Sequence, residues 1–177
     1  LISENAFYGN QIDTVVIPST VEYIGSGAFE NCTSLTAYEI PQGVATIGAV
    51  AFDGCTNLES VTIPNSIINF GNEVYYNVTY YQVFRGCSAL KTINVNATVP
   101  FVLEESNFDA KTYINATLHV PSSSLEAYKN ANVWKNFFNI SGDIDIEDNV
   151  CSVMIMGCND SYNGFVEIGD LQIKDYE

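Results

Sequence analysis

The fold is decided by Ile40-Pro-Gln-Gly-Val-Ala-Thr-Ile-Gly-Ala-Val-Ala-Phe-Asp-Gly-Cys55. The same pattern, Ile-Pro-x-x-Val-x-x-Ile-Gly-x-x-Ala-Phe-x-x-Cys, occupies residues 17–32, at a spacing of 23 residues. Leu35 returns as Leu58 in this register, and Ile63 begins a third copy. Periods of about 20 to 50 residues are typical of solenoids, in which one coil cannot bury its own apolar side and stacks on the next. The sequence therefore predicts a stack of repeats.

The repeats extend beyond these two copies. A partial copy precedes them, so we expect the chain to begin in mid-repeat, with further repeats or a cap before Leu1. The third copy resumes late, because Phe52 and Phe84 are 32 residues apart, nine more than the period. The extra residues fall within 72–82, and a divergent copy follows with Phe108 at the aromatic position.

Each unit has a simple physical interpretation. Val61 and Ile63 alternate as in a strand, and Pro64 removes the next backbone donor and stops it. A second extended piece is predicted at residues 67–70. The Ala-Phe-x-x-Cys segment has the spacing of one helical or 3-10 turn with Phe and Cys inward. Stacking at about 4.8 Å would place identical positions above one another in parallel sheets and continuous side-chain ladders.

The unit resembles the BspA-type leucine-rich repeat of bacterial surface proteins, and the resemblance covers residues 1–95. Residues 118–140 also resemble the segment with which Bacteroidetes members of this family often close the solenoid. The resemblance implies a right-handed leucine-rich-repeat solenoid with short parallel strands and 3-10 or helical turns. It further implies an extracellular protein, secreted or anchored at the cell surface, that serves in adhesion or interaction. It implies no catalytic residue, because the family motif consists of core positions.

The chain divides into three predicted regions. Residues 1–95 are repeats, and residues 96–142 are a divergent repeat and a capping segment. There, residues 123–126 read as a capping box, with Ser123 as the N-cap and Glu126 reaching back to it. A helix is expected from about residue 124 to about residue 131, covering the open end of the core.

The acidic tail, residues 143–177, forms the third predicted region. It contains nine acidic residues and one lysine. Its apolar stretches at 150–156 and 165–173, separated by turn-forming residues, predict a small β-hairpin packed on the cap. Cys151 and Cys158 are placed to bridge that hairpin in an oxidising compartment, and the free-thiol alternative stays open.

The charge balance excludes several classes of partner. The chain has 177 residues, with 21 Asp and Glu against 6 Lys and Arg, a net charge of -15. Phosphate backbones and anionic bilayers need cations, so neither nucleic acid nor a membrane surface is an expected partner. No apolar run approaches the roughly 18 residues of a membrane span.

The chemistry-bearing residues give no catalytic or metal site. Cys32, Cys55 and Cys87 share one repeat position and are expected to be buried free thiols. His119 alternates with core residues and should face away from the core, without a nucleophile to serve. Glu104 and Glu105 form an acidic pair. Such pairs are common in so acidic a chain and do not by themselves indicate glycosidase chemistry. We therefore predict no enzyme, no cofactor and no metal.

Residues 143–149 superficially suggest a calcium loop. Asp148 stands where an EF-hand requires glycine, and Met154 where it requires glutamate. The alternation of Asp143 and Ile144 instead predicts an exposed strand with Ile144 and Ile146 inward.

The outer face of the predicted sheet carries small, mostly polar residues, without the aromatic or arginine anchors that dominate binding energy. The insertion differs, because Tyr75, Tyr76, Tyr80 and Tyr81 lie within seven residues on a loop that leaves a rigid scaffold. These tyrosines are the predicted ligand site. The alternative is that two or more of them fold back over the solenoid.

These observations favour a non-enzymatic extracellular module that binds a host or neighbouring-cell surface protein, and we expect a monomer. A cell-surface glycan-binding protein that uses the tyrosine insertion is one alternative. A structural spacer that carries a functional domain is the other.

Overall fold

The spacing of Leu, Val and Ile in the repeat produces strands whose burial alternates. In Ser60–Ile63, Val61 and Ile63 are buried, whereas Ser60 and Thr62 are half-buried on the opposite face. Successive side chains of a strand point to opposite faces, so one face of each strand lines the core. The strand ends before Pro64, as predicted.

The computed structural model describes residues 1–71, 73–75, 78–80 and 82–145. Leu1–Asp145 form one compact unit. The strands of the described part are β1 (Tyr23–Ile24), β2 (Ala37–Glu39), β3 (Thr46–Ile47), β4 (Ser60–Ile63), β5 (Asn69–Phe70), β6 (Glu73–Tyr75), β7 (Val78–Tyr80), β8 (Thr92–Val95), β9 (Thr117–Pro121) and β10 (Asn139–Ile144). The helices are α1 (Ala110–Asn115) and α2 (Leu125–Asn130), with 3-10 turns at Glu105–Asn107, Ser122–Ser124 and Trp134–Asn136.

Eight of the described strands form two parallel sheets, and the chain alternates between these sheets from β1 to β5. The larger sheet has the order β2-β4-β8-β9-β10, and the smaller has the order β1-β3-β5. Val61 pairs with Ile93, and Ile93 pairs with Leu118, so equivalent repeat positions are in register. Each turn of the solenoid, here called a rung, therefore places its core residues directly above those of the rung before. This confirms the predicted leucine-rich-repeat solenoid.

The Ala-Phe-x-x-Cys segment forms a single tight turn in each repeat. The Cys32 N–H donates to the Phe29 carbonyl at 3.1 Å, the three-residue span of a 3-10 turn. Asn31, Gly54 and Gly86 occupy one position of this turn, with φ of 58°, 73° and 75°. Only glycine, and less readily asparagine, adopts this left-handed backbone without a large cost, which explains those residue types there.

A ladder of aromatic rings forms the centre of the core. Phe7, Phe29, Phe52, Phe84 and Phe108 stack one above another, with centroid separations of 5.1, 5.1, 5.1 and 5.4 Å. The spacing between Phe52 and Phe84 equals that of uninterrupted repeats, so the insertion does not disturb the stack. Phe108 takes the aromatic position predicted for the divergent copy.

The segment after β9 covers the end of this core, but the predicted capping box is wrong. Ser123 lies inside a 3-10 turn, and the N-cap of α2 is Ser124, whose side chain makes no capping hydrogen bond. Because of this 3-10 turn, α2 begins one residue later than predicted. Glu126 is then the second residue of the helix, whereas a capping box requires the acidic side chain at the third. Glu126 instead pairs with Lys129, with an Oε1–Nζ distance of 3.0 Å.

Burial at this end comes from aromatic residues. Tyr128, Trp134 and Phe137 are buried, and the Trp134 indole N–H donates to the Phe101 carbonyl at 2.8 Å. The division of the chain at residues 95 and 142 stays a prediction. The predicted tail hairpin, Ile146 and the pair Cys151 and Cys158 lie outside the described residues.

Candidate functional site

The insertion is a β-hairpin, not the loop that we expected. β6 and β7 pair antiparallel between the end of β5 and the turn that carries Phe84. Valine, threonine and tyrosine favour strands, so the sequence did indicate strand propensity here. The intervening dipeptide Tyr76-Asn77 is not one of the turn dipeptides that signal a hairpin, and the tyrosine cluster was interpreted as a loop surface.

The hairpin register brings together two of the four predicted site residues. Tyr75 pairs with Val78, and Glu73 pairs with Tyr80. Residues directly opposite in an antiparallel pair share a face, and positions two apart along a strand share it as well. Tyr75 and Tyr80 therefore occupy diagonal positions on one face of the hairpin. Tyr76 and Tyr81 lie outside the described residues.

The hairpin belongs to neither parallel sheet. β6 and β7 form a two-stranded sheet of their own, apart from the five-stranded and three-stranded sheets. The pairing of these two strands with each other runs over all three residues of each strand. The hairpin is thus an addition to the two parallel sheets that the repeats form.

The outer face of the larger sheet is small and polar, as predicted. The Asn94 side-chain amide donates to Thr62 Oγ1 at 3.2 Å, which joins neighbouring strands along one row. The exposed and half-buried residues of this face are Ala37, Glu39, Ser60, Thr62, Thr92 and Asn94, with Thr14 and Val16 of the first copy also exposed.

At the far end of this face, His119 contacts Asp143. Its Nδ1 lies 2.8 and 2.9 Å from the two carboxylate oxygens of Asp143, one strand away. Hydrogen bonds from His119 and Ser141 lower the pKa of Asp143 below its usual value. His119 points away from the core, as predicted, and Asp143 lies on β10, so the strand interpretation of this segment is confirmed as far as Ile144, where β10 ends. Sequence reasoning missed the pair because it depends on the β9–β10 register.

The three repeat cysteines are buried free thiols, as predicted. Each thiol donates to the carbonyl of the phenylalanine one rung earlier, at 3.1 Å. Burial raises the pKa of Cys32 to about 11, so the nucleophilic thiolate is disfavoured. Within the described residues no group of three or more His, Cys, Asp or Glu side chains is arranged to hold a metal ion.

A charged ladder lies beside the aromatic one and was not foreseen. Arg85 Nε donates to the carboxylate oxygens of Asp53 at 3.2 and 3.0 Å, and Asp53 is buried. Asp109 accepts from the Gly86 N–H at 2.9 Å one rung further on. Burial and the nearby charge of Asp53 raise the pKa of Glu30. These residues follow the ladder phenylalanines, so the repeat register itself indicates that they stack. We interpret this cluster as structural, since the Arg85 guanidinium already pairs with the buried Asp53 carboxylate.

Comparison with known proteins identifies the repeat. A family model described as BspA type leucine rich repeat region matches residues 1–126 in six copies. The chain belongs to this family. No curated protein matches, and within the described residues no helix is long and apolar enough to cross a membrane. The BspA-type match includes the insertion and ends within the capping segment.

Two solved structures are similar to this BspA-type chain. A leucine-rich repeat protein from Bacteroides ovatus ATCC 8483 is 33% identical, with a TM-score of 0.47, over 54% of this chain and 23% of that one. A leucine rich cell surface protein from Faecalibacterium prausnitzii A2-165 is 22% identical, with a TM-score of 0.35, over 81% of this chain and 54% of that one. The chain therefore spans about a quarter of the first protein and about half of the second.

Proposed function

We propose that this chain is a non-enzymatic extracellular module that binds a protein on a host or neighbouring cell through the β6–β7 hairpin. The observation that carries the proposal is the hairpin itself, because it is the one insertion into the regular 23-residue period of the repeats at 17–95. The residues that the family motif specifies are core residues. A binding site on such a scaffold must therefore be built from residues outside the motif.

The residue types of the hairpin suit a protein partner. Tyrosine offers a large contact area with few rotatable bonds and a hydroxyl that hydrogen-bonds, and it is frequent among the residues that dominate interface energy. Tyr75 and Tyr80 stand at diagonal positions of the paired strands, and we propose that one approaching surface contacts both. The stacked rings on either side of the insertion supply a rigid base, which limits the entropy lost on binding.

A surface glycan is the second candidate ligand, and the same pair of positions favours it. Two aromatic residues on one face can pack against the apolar face of a sugar ring while their hydroxyls bond its edge. Such a site would bind soluble oligosaccharide, and a protein site would not.

The deciding experiment is binding of the full chain to immobilised extracellular-matrix proteins and to a glycan array. Tyr75→Ala with Tyr80→Ala is compared with Tyr76→Ala and Tyr81→Ala in a second variant. Loss of binding to a matrix protein in the first variant supports the proposal, and loss of binding to a glycan supports the second candidate. Intact chain that binds neither class favours the spacer interpretation.

Two controls separate the hairpin from the scaffold. Tyr8→Ala removes an exposed tyrosine outside the hairpin and should leave binding unchanged. Deletion of residues 73–81 should abolish binding, because it restores the 23-residue spacing from Phe52 to Phe84 and leaves only the solenoid. Binding that survives this deletion would contradict a hairpin site.

A further inference from the structure

One row of polar side chains crosses the outer face of the larger sheet and ends beside Asp143. Thr62 is in register with Asn94, Asn94 with His119, and His119 with Ser141. All four residues are half-buried, and we call them the polar row. Residues in register on neighbouring strands share a face, and the strands lie about 4.8 Å apart. The row therefore presents one hydrogen-bonding side chain at each such step.

Hydrogen bonds along the sheet hold the side chains of the polar row in place. The Asn94 amide donates to Thr62 Oγ1 at 3.2 Å, and His119 Nδ1 lies 2.8 and 2.9 Å from the two carboxylate oxygens of Asp143. Ser141 bonds to the same carboxylate. Side chains that are already held lose little conformational entropy when a ligand binds. The polar row is thus preorganised for hydrogen bonding.

A bulge in β10 lies at this point of the sheet. From His119 to Pro121, β9 advances by two residues, whereas β10 advances by three between the residues opposite them, Ser141 and Ile144. A β-bulge re-aims a side chain and is frequent next to functional sites. Here the bulged segment contains Asp143, which contacts His119 although Ser141 is the residue directly opposite.

The contact with Asp143 decides the hydrogen-bonding character of His119. An ionised carboxylate only accepts hydrogen bonds, so the Nδ1 atom that faces it carries the hydrogen. In a neutral imidazole the Nε2 atom is then an acceptor, and it has no hydrogen-bond partner among the described residues. The side-chain oxygen of Asn94 is a second acceptor, since the bond to Thr62 uses the amide nitrogen. The row thus offers acceptors and hydroxyl groups to a ligand.

These groups suit a neutral ligand that carries many hydroxyls. Sugar hydroxyls can donate to His119 Nε2 and to the Asn94 oxygen, and can accept from the Thr62 hydroxyl. An apolar ligand would leave each polar group that it buries without a partner, at a cost of about 1–3 kcal/mol. An anion would find no unpaired cation in the row, because His119 already faces a carboxylate.

The spacing of the row favours a polysaccharide over an extended peptide. Successive side chains on one face of an extended peptide recur at about 6.5 Å, which does not match strands about 4.8 Å apart. A sugar residue in an extended polysaccharide has nearly the length of the strand spacing. A chain of sugars that crosses the strands can therefore keep step with the row.

We propose that the polar row binds a neutral, extended polysaccharide that lies across the strands of the larger sheet. His119 and Asn94 contact the sugar, and Asp143 is a positioning residue that holds the imidazole ring. The row belongs to a different sheet from the hairpin, so this site is additional to the proposed function. The row has no aromatic side chain to anchor a sugar ring, so affinity comes from repeated contacts and grows with the length of the saccharide.

The chain contains one histidine, so its imidazole nitrogen resonances report on this site alone. The probes are soluble β-1,4-linked hexasaccharides of glucose, xylose and mannose, titrated against the full chain while these resonances are recorded by NMR. We expect the Nδ1–H tautomer in the free chain and a shift of the Nε2 resonance when a hexasaccharide binds. The corresponding trisaccharide should bind at least about 5-fold more weakly. If no hexasaccharide binds, or if binding leaves the Nε2 resonance in place, the proposal is wrong.

Substitutions in the row test the contacts. His119→Ala and Asn94→Ala should each weaken hexasaccharide binding about 5-fold or more, because each removes an acceptor for a sugar hydroxyl. A matched variant, Gln42→Ala with Asn65→Ala, removes a hydrogen-bonded amide pair outside the sheets and should leave binding within about 2-fold. Equal losses in the row and matched variants would contradict a site at the row.

Asp143→Ala tests the positioning role separately. It should weaken hexasaccharide binding several-fold and also populate the second imidazole tautomer in the free chain, a change that a merely structural role of Asp143 would not produce. An unchanged tautomer would contradict this role.

Deletion of residues 73–81 separates the polar row from the hairpin. Hexasaccharide binding that survives the deletion and is lost in His119→Ala supports the row, whether or not binding to a matrix protein survives. Hexasaccharide binding that is lost with the hairpin and kept in His119→Ala would place the sugar at the tyrosines and overturn the proposal.

Discussion

At the scale of single residues, two buried tyrosines should respond in opposite ways to loss of their hydroxyl groups. Tyr38 is 4% exposed, and its hydroxyl has no hydrogen-bond partner within the described part of the chain. The Tyr128 hydroxyl donates to the Ala97 carbonyl at 2.8 Å. A buried polar group without a partner costs about 1–3 kcal/mol, whereas a satisfied one contributes about 1 kcal/mol.

We therefore expect Tyr38→Phe to raise the free energy of unfolding by about 1 kcal/mol, since the ring contacts with Phe29 and Phe52 are kept. Tyr128→Phe should lower it by about 1–2 kcal/mol, because the Ala97 carbonyl loses its donor. Urea denaturation of both variants measures the two effects. A less stable Tyr38→Phe protein would mean that this hydroxyl is bonded in solution.

The charged ladder gives a second residue-scale prediction. Arg85→Gln should lower the free energy of unfolding by about 1–3 kcal/mol, because it leaves the buried carboxylate of Asp53 without its cation. Asp53→Asn in the same chain should recover part of the loss, since no buried charge then remains. A double variant as unstable as the sum of the two single variants would show that the pair is not coupled.

Glu30 on the same ladder predicts a pH dependence. Its pKa in the folded chain lies above its ordinary value through burial and the charge of Asp53. The folded state thus favours the protonated form, so this contribution to stability is greatest below the unfolded pKa, about 4.3, and is lost as the pH rises through the folded pKa. Glu30→Gln should stabilise the chain near neutral pH by up to about 0.5 kcal/mol and leave stability unchanged near pH 3. Urea midpoints at the two pH values check this, and an equal gain at both would contradict it.

At the scale of elements, the hairpin should be separable from the scaffold. Deletion of residues 73–81 joins residue 72 to Gln82 and restores the spacing of uninterrupted repeats. Shortening a surface connection changes the loop-closure entropy by well under about 1 kcal/mol. We expect the deleted chain to unfold cooperatively at a urea midpoint close to that of the native chain. A molten or aggregated product would mean that the hairpin packs on the solenoid as part of its core.

The capping segment gives a contrasting pair of substitutions. Ser123→Ala should be neutral within about 0.5 kcal/mol, because Ser123 caps nothing. Trp134→Phe should cost about 2–4 kcal/mol, because it removes buried volume and leaves the Phe101 carbonyl without its donor. Thermal unfolding of both variants is the measurement. Equal effects would mean either that Ser123 does cap the helix or that Trp134 does not stabilise this end of the core.

The repeat scaffold was predictable from sequence because its information is periodic. One register at Phe29, Phe52 and Phe84 specifies the ladder, the turn and the strands together. The tyrosine site was predictable as residue types but not as geometry, since the pairing of Tyr75 with Val78 depends on how the insertion folds. The pair of His119 with Asp143 could not be foreseen, because it depends on which residues neighbouring strands bring into contact. The capping box failed because a one-residue shift in the helix start changes the role of every residue in its first turn.

At the scale of the whole molecule, the net charge acts on stability. The chain carries a net charge of -15, and its basic residues begin only at Arg85. Repulsion among the carboxylates of the first repeats opposes the compact state. It acts mainly between exposed groups, so salt screens it.

Salt should therefore raise the free energy of unfolding. Between about 50 mM and about 0.5 M sodium chloride the Debye length falls from about 14 to about 4 Å, so the free energy of unfolding should rise by on the order of 1 kcal/mol as repulsion is screened. Urea midpoints across this range of salt measure the slope. A fall in stability would mean that the ion pairs outweigh the repulsion.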